Sequence, residues 1–295
     1  PVFLNEVIDA LNVQTNCWYL DATFGRGGHS EAILNKGGKV VAIDQDQAAA
    51  EYAQTVFAPQ IGSKQLIFVK GNFGNLPNLL SSAIGMNLSK IEFKGILYDL
   101  GTSQDQLKDQ SRGFSFDYSD APLDMRMDQE LGVTAADLLQ VLSVKQLADS
   151  FRRLGGERHA NLIAQAIDRY RGPNRSRPIK TVGELVSIIL SCTRKEGKLH
   201  PATKVFQSLR ILVNSELDQL TESLSHVLPL LISKGRVVTI AFHQGEDAIV
   251  KHLFKEWEQK ELGKNILAKP QKPSQKEVQH NPAARSARLR IFEKY

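Results

Sequence analysis

The fold of this chain is decided by the stretch CWYLDATFGRGGHS, residues 17–30. Its first four residues form an apolar run, which is typical of a buried strand, and the strand is followed directly by Asp21. The glycines that come next predict a turn in which the backbone can approach a ligand closely. A short helix through residues 32–34 follows and presents free N–H groups at its start. A strand, a glycine-rich turn and a helix in this order begin an open α/β sheet.

The same alternation continues on both sides of the middle third of the chain. Apolar runs predict further strands at 39–43, 66–69, 93–98, 236–242 and 289–292, with helices at 4–11, 48–57, 204–220 and 247–258. Because the strands are apolar on both faces, we expect a mostly parallel sheet covered by helices. Residues 105–200 contain only loops and helical segments, and 268–286 is a low-complexity surface loop or flexible arm. The sequence therefore predicts an α/β domain formed by residues 1–104 and 201–295, with an inserted all-α domain at 105–200.

Length and composition exclude several classes of protein. The 295 residues, 42% apolar and 23% charged, suffice for one large domain or two modest ones. No apolar run approaches the ~20 residues that span a bilayer, so a transmembrane protein is excluded. Two cysteines, Cys17 and Cys192, are too few for a disulfide framework, a Cys-rich zinc site or an iron–sulfur cluster. Since no signal segment is found either, we expect the cytoplasm, or an organellar matrix if a targeting peptide was removed.

Positive charge is concentrated in two segments of a chain whose net charge is +5. Residues 264–295 carry eight Lys or Arg against two Glu, and residues 152–180 carry eight basic side chains against two acidic ones. Such clusters favour contact with a polyanion such as nucleic acid. A solvated surface is the alternative that charge alone leaves open.

Polar residues at the strand ends indicate a nucleoside-bearing cofactor, because ligands of open parallel sheets bind outside the carboxyl ends of the strands. Asp44 follows the second strand and is suited to accept from both hydroxyls of a ribose, and Phe73 after the third strand could cover an adenine. Ser30 stands where a dinucleotide site requires a third glycine, and the Walker pattern of P-loop NTPases is absent. A cofactor with a ribose but no phosphate fits better, which indicates S-adenosylmethionine. A turn that binds nothing is the alternative.

Six motifs occur in order along essentially the whole chain: DATFGRGGH (21–29), RGFSF (112–116), PLDMRMD (122–128), HPATKVFQ (200–207), NSEL (214–217) and NPAARS (281–286). In these motifs the chain resembles the ribosomal RNA small subunit methyltransferase H family. The resemblance implies a class I S-adenosylmethionine-dependent, Rossmann-like methyltransferase. Its expected reaction is methylation of the exocyclic N4 of one cytidine in the decoding region of small-subunit (16S-type) ribosomal RNA. The cofactor contacts of the family carry over to Gly27, Gly28, His29, Asp44, Phe73, Asp99 and Gln106.

The sequence departs from the family pattern at two places. Where the family usually has VSSPQ after the fourth strand, this chain has TSQDQ at 102–106, and the later family string SFHSLEDR is AFHQGEDA at 241–248. The second departure lies on the expected substrate side. It supports an alternative function, a cofactor-binding ribosome-assembly or RNA-binding factor with weak or no catalysis.

Two residues are candidates for catalysis. The lone pair of cytosine N4 is delocalised into the ring, so the enzyme must align the amine and supply acceptors for its hydrogens. Asp99 is the candidate acceptor or proton sink, although it could instead bind only the amino group of the cofactor. His243, after the fifth strand, is the second candidate, with a structural role as the alternative. No catalytic metal is expected.

Substrate contacts are expected in the basic inserted domain. A stacked base cannot reach a buried methyl group, so the target nucleotide must be unstacked or extruded. RNA contacts are predicted at Arg126, Arg169, Arg171 and Arg175, and the aromatic residues at 114, 116 and 118 could stack on a base or belong to the core. The expected partner is the ribosomal RNA or the assembled small subunit. No membrane partner is expected, and a homodimer is a further possibility. A small-molecule methyltransferase would leave the basic insertion unexplained.

Overall fold

The chain forms two compact units in a computed structural model that describes residues 1–82, 91–194 and 199–295. One unit comprises residues 1–101 and 217–295, and the other comprises residues 102–216. The first boundary therefore lies three residues earlier, and the second sixteen residues later, than the predicted 104 and 201. The second boundary differs because Val205, Phe206 and Leu209 belong to the hydrophobic core of the helical unit.

A seven-stranded sheet organises the described part of the first unit. Its strands are β1 Trp18–Asp21, β2 Lys39–Asp44, β3 Leu66–Lys70, β4 Phe93–Asp99, β5 Leu231–Ala241, β6 Gly263–Asn265 and β7 Arg288–Lys294. Their order is β3-β2-β1-β4-β5-β7-β6. The first five strands run parallel, and β7 is antiparallel to both β5 and β6. The predicted α/β class with a mostly parallel sheet is confirmed. Because the chain winds in opposite directions from β1 and β4, a crevice is expected outside their carboxyl ends.

Helices connect the strands of the first unit and form the second. In chain order they are α1 Leu4–Leu11, α2 Gly28–Asn35, α3 Gln47–Val56, α4 Ala58–Gly62, α5 Leu76–Ser82, α6 Gln104–Lys108, α7 Ala135–Val141, α8 Val144–Gly155, α9 Ala160–Arg171, α10 Val182–Cys192, α11 Thr203–Asn214, α12 Glu216–Ser225, α13 Gln244–Gln259 and α14 Gln275–His280. Helices α6 to α11 lie in the second unit. Across the described ranges, no helix has the length and apolar character needed to cross a bilayer.

Each face of the sheet carries its own hydrophobic core, because successive side chains of a strand point to opposite faces. On one face, Tyr19 and Val40 pack with buried residues of α1, α2 and α3. On the other face, Leu20 and Val41 pack with buried residues of α12 and α13. Burial on both faces fixes the strands and thereby the positions of the residues at their carboxyl ends.

Two expectations for the last third of the chain need correction. The helix predicted at 204–220 is two helices, because Ser215 adopts a left-handed conformation with φ of 48° and ends α11. The segment 268–286 lies at the surface and is mostly exposed, as one predicted alternative had it, but it includes helix α14 and is not a free arm. Within it, the Glu277 carboxylate of α14 accepts a hydrogen bond from the backbone N–H of Phe3 at 2.6 Å, and Ala284 is buried.

Candidate active site

The glycine-rich turn between β1 and α2 adopts a conformation that favours glycine at two positions. Gly25 and Gly27 have φ values of 54° and 68°, in the left-handed region. A Cβ atom on Gly27 would also lie 2.6 Å from the ring of Phe24 and 2.8 Å from that of Phe57. A Cβ atom on Gly25 would have nothing within 4 Å, so the turn leaves its backbone open at Gly25, where a ligand can approach it.

Asp44 joins the end of β2 to this turn. Its Oδ2 accepts a hydrogen bond from the backbone N–H of Gly25 at 2.7 Å, and its Oδ1 accepts one from Asp46 at 2.9 Å. Burial raises the pKa of Asp44 to about 6, although the hydrogen bonds from Asp46 and Gly25 oppose the shift. Each carboxylate oxygen can still accept a further hydrogen bond, so the group suits the two hydroxyls of a ribose.

Phe73 stands at the carboxyl end of β3, as predicted. It begins a short 3-10 turn whose N-cap is Asn72, and its ring packs edge-on against the ring of Tyr98 at a centroid distance of 5.7 Å. Tyr98 is itself buried and its hydroxyl contacts that of Ser223 at 2.6 Å. The half-buried Phe73 ring is therefore held in place and offers an apolar surface of the kind an adenine requires.

Asp99 ends β4 and lies beside His29, the second residue of α2. His29 Nε2 is 3.4 Å from Asp99 Oδ2, with the histidine side chain 6% exposed and the aspartate side chain 24% exposed. Both ring nitrogens of His29 and Oδ1 of Asp99 are buried and have no hydrogen-bond partner among the residues that the structure describes. Buried polar atoms are nearly always paired in folded proteins. These atoms therefore mark a place where a ligand would complete the hydrogen bonding.

Sequence reasoning missed the residues that hold this pair. The hydroxyl of Ser30 donates to Asp21 Oδ2 at 2.7 Å, and the backbone N–H of Asp99 donates to the hydroxyl of Thr23 at 2.6 Å. Burial raises the pKa of Asp21, against the effect of the Ser30 hydrogen bond. Asp21, Thr23 and Ser30 all lie in the stretch DATFGRGGHS, so the motif itself carried the signal.

The second catalytic candidate, His243, caps a helix. Its Nδ1 accepts hydrogen bonds from the backbone N–H groups of Gly245 and Glu246 at 3.1 and 3.4 Å, at the start of α13. Its Nε2 lies 3.1 Å from Oε1 of Glu246. Within the departing motif 241–248, Asp247 is also paired, with both Arg288 and Arg290 of β7. These contacts favour the structural alternative for His243.

Gln106, the last of the predicted cofactor contacts, belongs to the helical unit. It is 8% exposed and forms a reciprocal cap with Ser103 at the start of α6. The Ser103 backbone N–H donates to the Gln106 side-chain oxygen at 2.9 Å, and the Gln106 N–H donates to the Ser103 hydroxyl at 3.2 Å. A cofactor contact at Gln106 stays a prediction.

Arg171 is wrong as a predicted RNA contact, because its side chain is completely buried. Its guanidinium donates to the carbonyl oxygens of Leu139 and Leu142 at 2.7 and 2.8 Å, where α7 ends. It also pairs with Asp168 at 2.6 Å. The number of basic residues in a segment does not show which of them is buried. Arg171 is buried because the end of α7 lies against α9.

The other three predicted arginines differ in how far their guanidinium groups are already occupied by contacts within the protein. Arg126 forms a bidentate pair with Asp124 and donates to the carbonyl oxygens of Gln129 and Leu131. The guanidinium of Arg175 donates to the carbonyl oxygen of Gln140 at 3.0 Å. Arg169 is exposed. Of the four, Arg169 is therefore the best placed to contact RNA.

The residues present fit S-adenosylmethionine. The open backbone at Gly25, the Asp44 carboxylate and the apolar ring of Phe73 match its nucleoside part. These side chains follow the carboxyl ends of β1 to β4 in one unit. The family model described as the MraW methylase family matches residues 1–295. The chain belongs to this family.

Two relatives of this MraW-family chain carry the same name. It is 38% identical over 296 residues to "Ribosomal RNA small subunit methyltransferase H" of Coprothermobacter proteolyticus, covering 100% of the chain and 95% of the relative. The protein of that name from Cyanothece sp. is 39% identical over 297 residues, covering 100% of the chain and 94% of the relative. A solved structure of a putative methyltransferase from Streptococcus mutans in complex with SAH has a TM-score of 0.48 at 12% identity, covering 99% of this chain and 97% of that one. The family predicted from the six motifs is confirmed.

Proposed function

We propose that this MraW-family protein transfers a methyl group from S-adenosylmethionine to the exocyclic N4 of a cytidine in the decoding region of small-subunit ribosomal RNA. The observation that carries the proposal is the arrangement of Asp44, Phe73 and Asp99 at the carboxyl ends of the parallel strands β2, β3 and β4, beside the glycine-rich turn that follows β1. The names of the relatives support the choice of ribosomal RNA as substrate.

The residues of this chain have two tasks in such a reaction. Bound S-adenosylmethionine supplies a methyl group that is already activated by its sulfonium. Asp44 would accept from the ribose, Phe73 would contact the adenine, and the Gly27–Gly28 backbone would bind the rest of the cofactor. Asp99 Oδ1 accepts a hydrogen bond from the target amine, which localises the nitrogen lone pair and aligns it for attack.

RNA recognition is assigned to the helical unit. Its exposed basic side chains, Arg153, Arg158 and Arg169 among them, can contact phosphates, and the target base must leave its stack to be methylated. Phe116 stacks on His200 at a centroid distance of 4.6 Å and packs edge-on against Phe206, so it serves the core of the unit. The substrate is proposed to be the ribosomal RNA or the small subunit assembled on it, in the cytoplasm or an organellar matrix. A homodimer stays a prediction.

The decisive experiment incubates the protein with methyl-labelled S-adenosylmethionine and small ribosomal subunits, or the naked RNA, that lack the modification. Digestion to nucleosides and mass spectrometry should then find labelled N4-methylcytidine, and the Asp99→Asn variant should produce far less. Tight RNA binding without methyl transfer would instead support the assembly-factor alternative. Transfer to a metabolite with indifference to RNA would overturn the substrate assignment.

A further inference from the structure

The basic residues of the segment 264–295 divide into two sets of four. The first set is engaged by contacts within the first unit, through ion pairs or a hydrogen bond to a backbone carbonyl: Lys264, Arg288, Arg290 and Lys294. The second set is exposed, and its side chains form no ion pair or hydrogen bond among the residues that the structure describes: Lys269, Lys272, Lys276 and Arg285. These last four residues form a basic surface that can meet an anion.

The two acidic residues of the segment do not neutralise the basic surface. Glu277 of α14 accepts a hydrogen bond from the backbone N–H of Phe3 at 2.6 Å. Glu293 pairs with Arg236 at 2.9 Å and with Lys264 at 3.4 Å. The acids of the segment are therefore engaged elsewhere, and the charge of the basic surface is left for a partner.

Backbone contacts hold the basic surface in a defined place. Gln271 forms an antiparallel bridge with Leu289 of β7, with both N–H to O distances at 3.0 Å. On the other side of α14, Asn281 caps the 3-10 turn 282–286, in which Ala284 is buried. Because the backbone is fixed before and after α14, a partner would meet an ordered array of cations and would not have to order a free arm.

The basic surface lies near the glycine-rich turn. Phe3, which donates to Glu277 of α14, is two residues from Pro1. The ring of Pro1 lies against Gly28, since a Cβ atom on Gly28 would be 2.5 Å from Pro1 Cγ. Three extended residues span at most ~10 Å, so the Glu277 carboxylate lies within about 15 Å of Gly28. A strand of about four stacked nucleotides, at ~3.4 Å per phosphate, would bridge that distance.

We propose that the basic surface binds phosphates of the substrate RNA close to the target nucleotide. Lys and Arg side chains that bind phosphates release counterions from the RNA, which gives affinity without reading the base sequence. RNA is the polyanion that must reach the crevice in the proposed reaction, and the basic surface lies a few nucleotides away. The inference therefore rests on the proposed function and adds a second RNA contact to that of the helical unit.

A double variant and a matched control test the basic surface. Lys272→Gln/Lys276→Gln removes two of its charges. Lys251→Gln/Lys255→Gln removes two exposed charges from α13, which packs on the opposite face of the sheet from Ala284. The probe is an unmodified RNA fragment that contains the decoding region of the small subunit, and its binding is measured at several salt concentrations. Calorimetric binding of S-adenosylhomocysteine checks that each variant is folded.

The surface variant should bind the RNA about 10- to 30-fold more weakly at ~0.15 M salt, because each lost phosphate contact costs about four- to fivefold there. The slope of log affinity against log salt should become shallower by about 1.5, while the control stays within about twofold of the parent. At saturating RNA, the single-turnover rate of methyl transfer should equal that of the parent. Equal RNA affinities of the two double variants, or a rate that stays low at saturation, would overturn the assignment. A parent protein that does not bind the RNA would instead refute the proposed function.

A pair of single variants compares the two sets of cations within the segment. Arg285→Gln removes an unpaired charge and should weaken RNA binding about four- to fivefold. Lys264→Gln makes the same change of charge at a side chain that is 51% exposed but paired with Glu293, and it should stay within about twofold of the parent. If both variants weaken binding equally, the total charge of the segment explains the affinity and the basic surface is not a distinct contact.

A footprint on the parent protein needs no variant. Lysines are acetylated with and without the RNA fragment, and mass spectrometry measures how fast each one is modified. The RNA should slow the modification of Lys269, Lys272 and Lys276 and leave that of Lys251 and Lys255 unchanged. Vesicles that contain phosphatidylserine are the second probe. Protection of the basic surface by vesicles but not by RNA would assign it to a membrane and contradict the proposal.

Discussion

At the scale of single residues, the proposed cofactor site depends on buried carboxylates that the backbone only partly satisfies. Asp44 illustrates this, because it accepts two backbone hydrogen bonds and its pKa is nevertheless raised to about 6 by burial. A ligand whose hydroxyl groups donate to the ionised carboxylate would supply the hydrogen bonds that the protein itself does not provide. The charge state of one side chain thus becomes linked to cofactor binding.

Cofactor binding should therefore weaken in acid. Below pH ~6 most of the free protein carries a protonated Asp44, and that proton must leave before the ribose hydroxyls can be accepted. The dissociation constant should rise as the pH falls through this value, approaching about tenfold per pH unit, and should be flat above pH ~7. Calorimetric titrations between about pH 5 and pH 8 measure this directly. Asp44→Asn should bind more weakly without this pH dependence, and a flat profile in the parent protein would contradict the assignment.

Gly27 and Gly25 allow steric and conformational effects to be separated. An alanine at either position is strained by its positive φ, at a cost of about 1 kcal/mol. At Gly27 the added methyl group would also clash with Phe24 and Phe57, whereas a Cβ on Gly25 has nothing within 4 Å. Gly27→Ala should therefore lower the free energy of unfolding by about 1–3 kcal/mol more than Gly25→Ala. Equal losses in denaturant titrations would show that the turn tolerates the clash.

At the scale of elements, buried polar side chains join helix ends. The guanidinium of Arg171 on α9 is buried away from water. It donates hydrogen bonds to carbonyl oxygens at the end of α7, which would otherwise lack donors. The two helices are thereby fixed to each other inside the helical unit. An arginine in a basic stretch can in this way be a structural residue, although its sequence surroundings suggest a phosphate contact.

Arg171→Met should destabilise the protein by about 3 kcal/mol, because carbonyl oxygens lose their buried donor and the apolar chain cannot replace it. Arg169→Glu, two residues away and exposed, should leave the free energy of unfolding nearly unchanged and weaken RNA binding. Thermal and denaturant unfolding, with RNA binding at several salt concentrations, check both. If Arg171→Met unfolds like the parent and binds RNA poorly, the structural assignment fails.

His243 is expected to stabilise α13 rather than take part in the reaction. His243→Ala removes the cap and should lower the free energy of unfolding by about 1 kcal/mol, whereas His243→Asn, a good N-cap, should retain it. Single-turnover methyl transfer by His243→Asn should equal that of the parent. A large loss of rate in this stable variant would restore His243 as a catalytic candidate.

At the scale of the whole molecule, the strands of the sheet could be predicted from the sequence more completely than the tertiary contacts could. Strands β1 to β5 and β7 were placed because each contains an apolar run, while β6 was missed because GKN carries no such run. The boundary at 216 was missed because the burial of α11 in the helical core depends on tertiary packing. The same limit applies to the site, where Asp44 and Asp99 followed from the strand ends but the hydrogen bonds that Asp21 and Thr23 accept did not.

The most direct test of the central claim is a calorimetric titration of S-adenosylmethionine into the parent protein and into Asp44→Ala at pH ~7.5, above the raised pKa of Asp44. Asp9→Ala, which removes an exposed carboxylate from α1, is the matched control. We expect one site in the parent, unchanged binding in Asp9→Ala and a loss of at least about tenfold in Asp44→Ala, the effect of a hydrogen bond to a charged group. Absence of binding to the parent, or equal binding by all three proteins, would contradict the account.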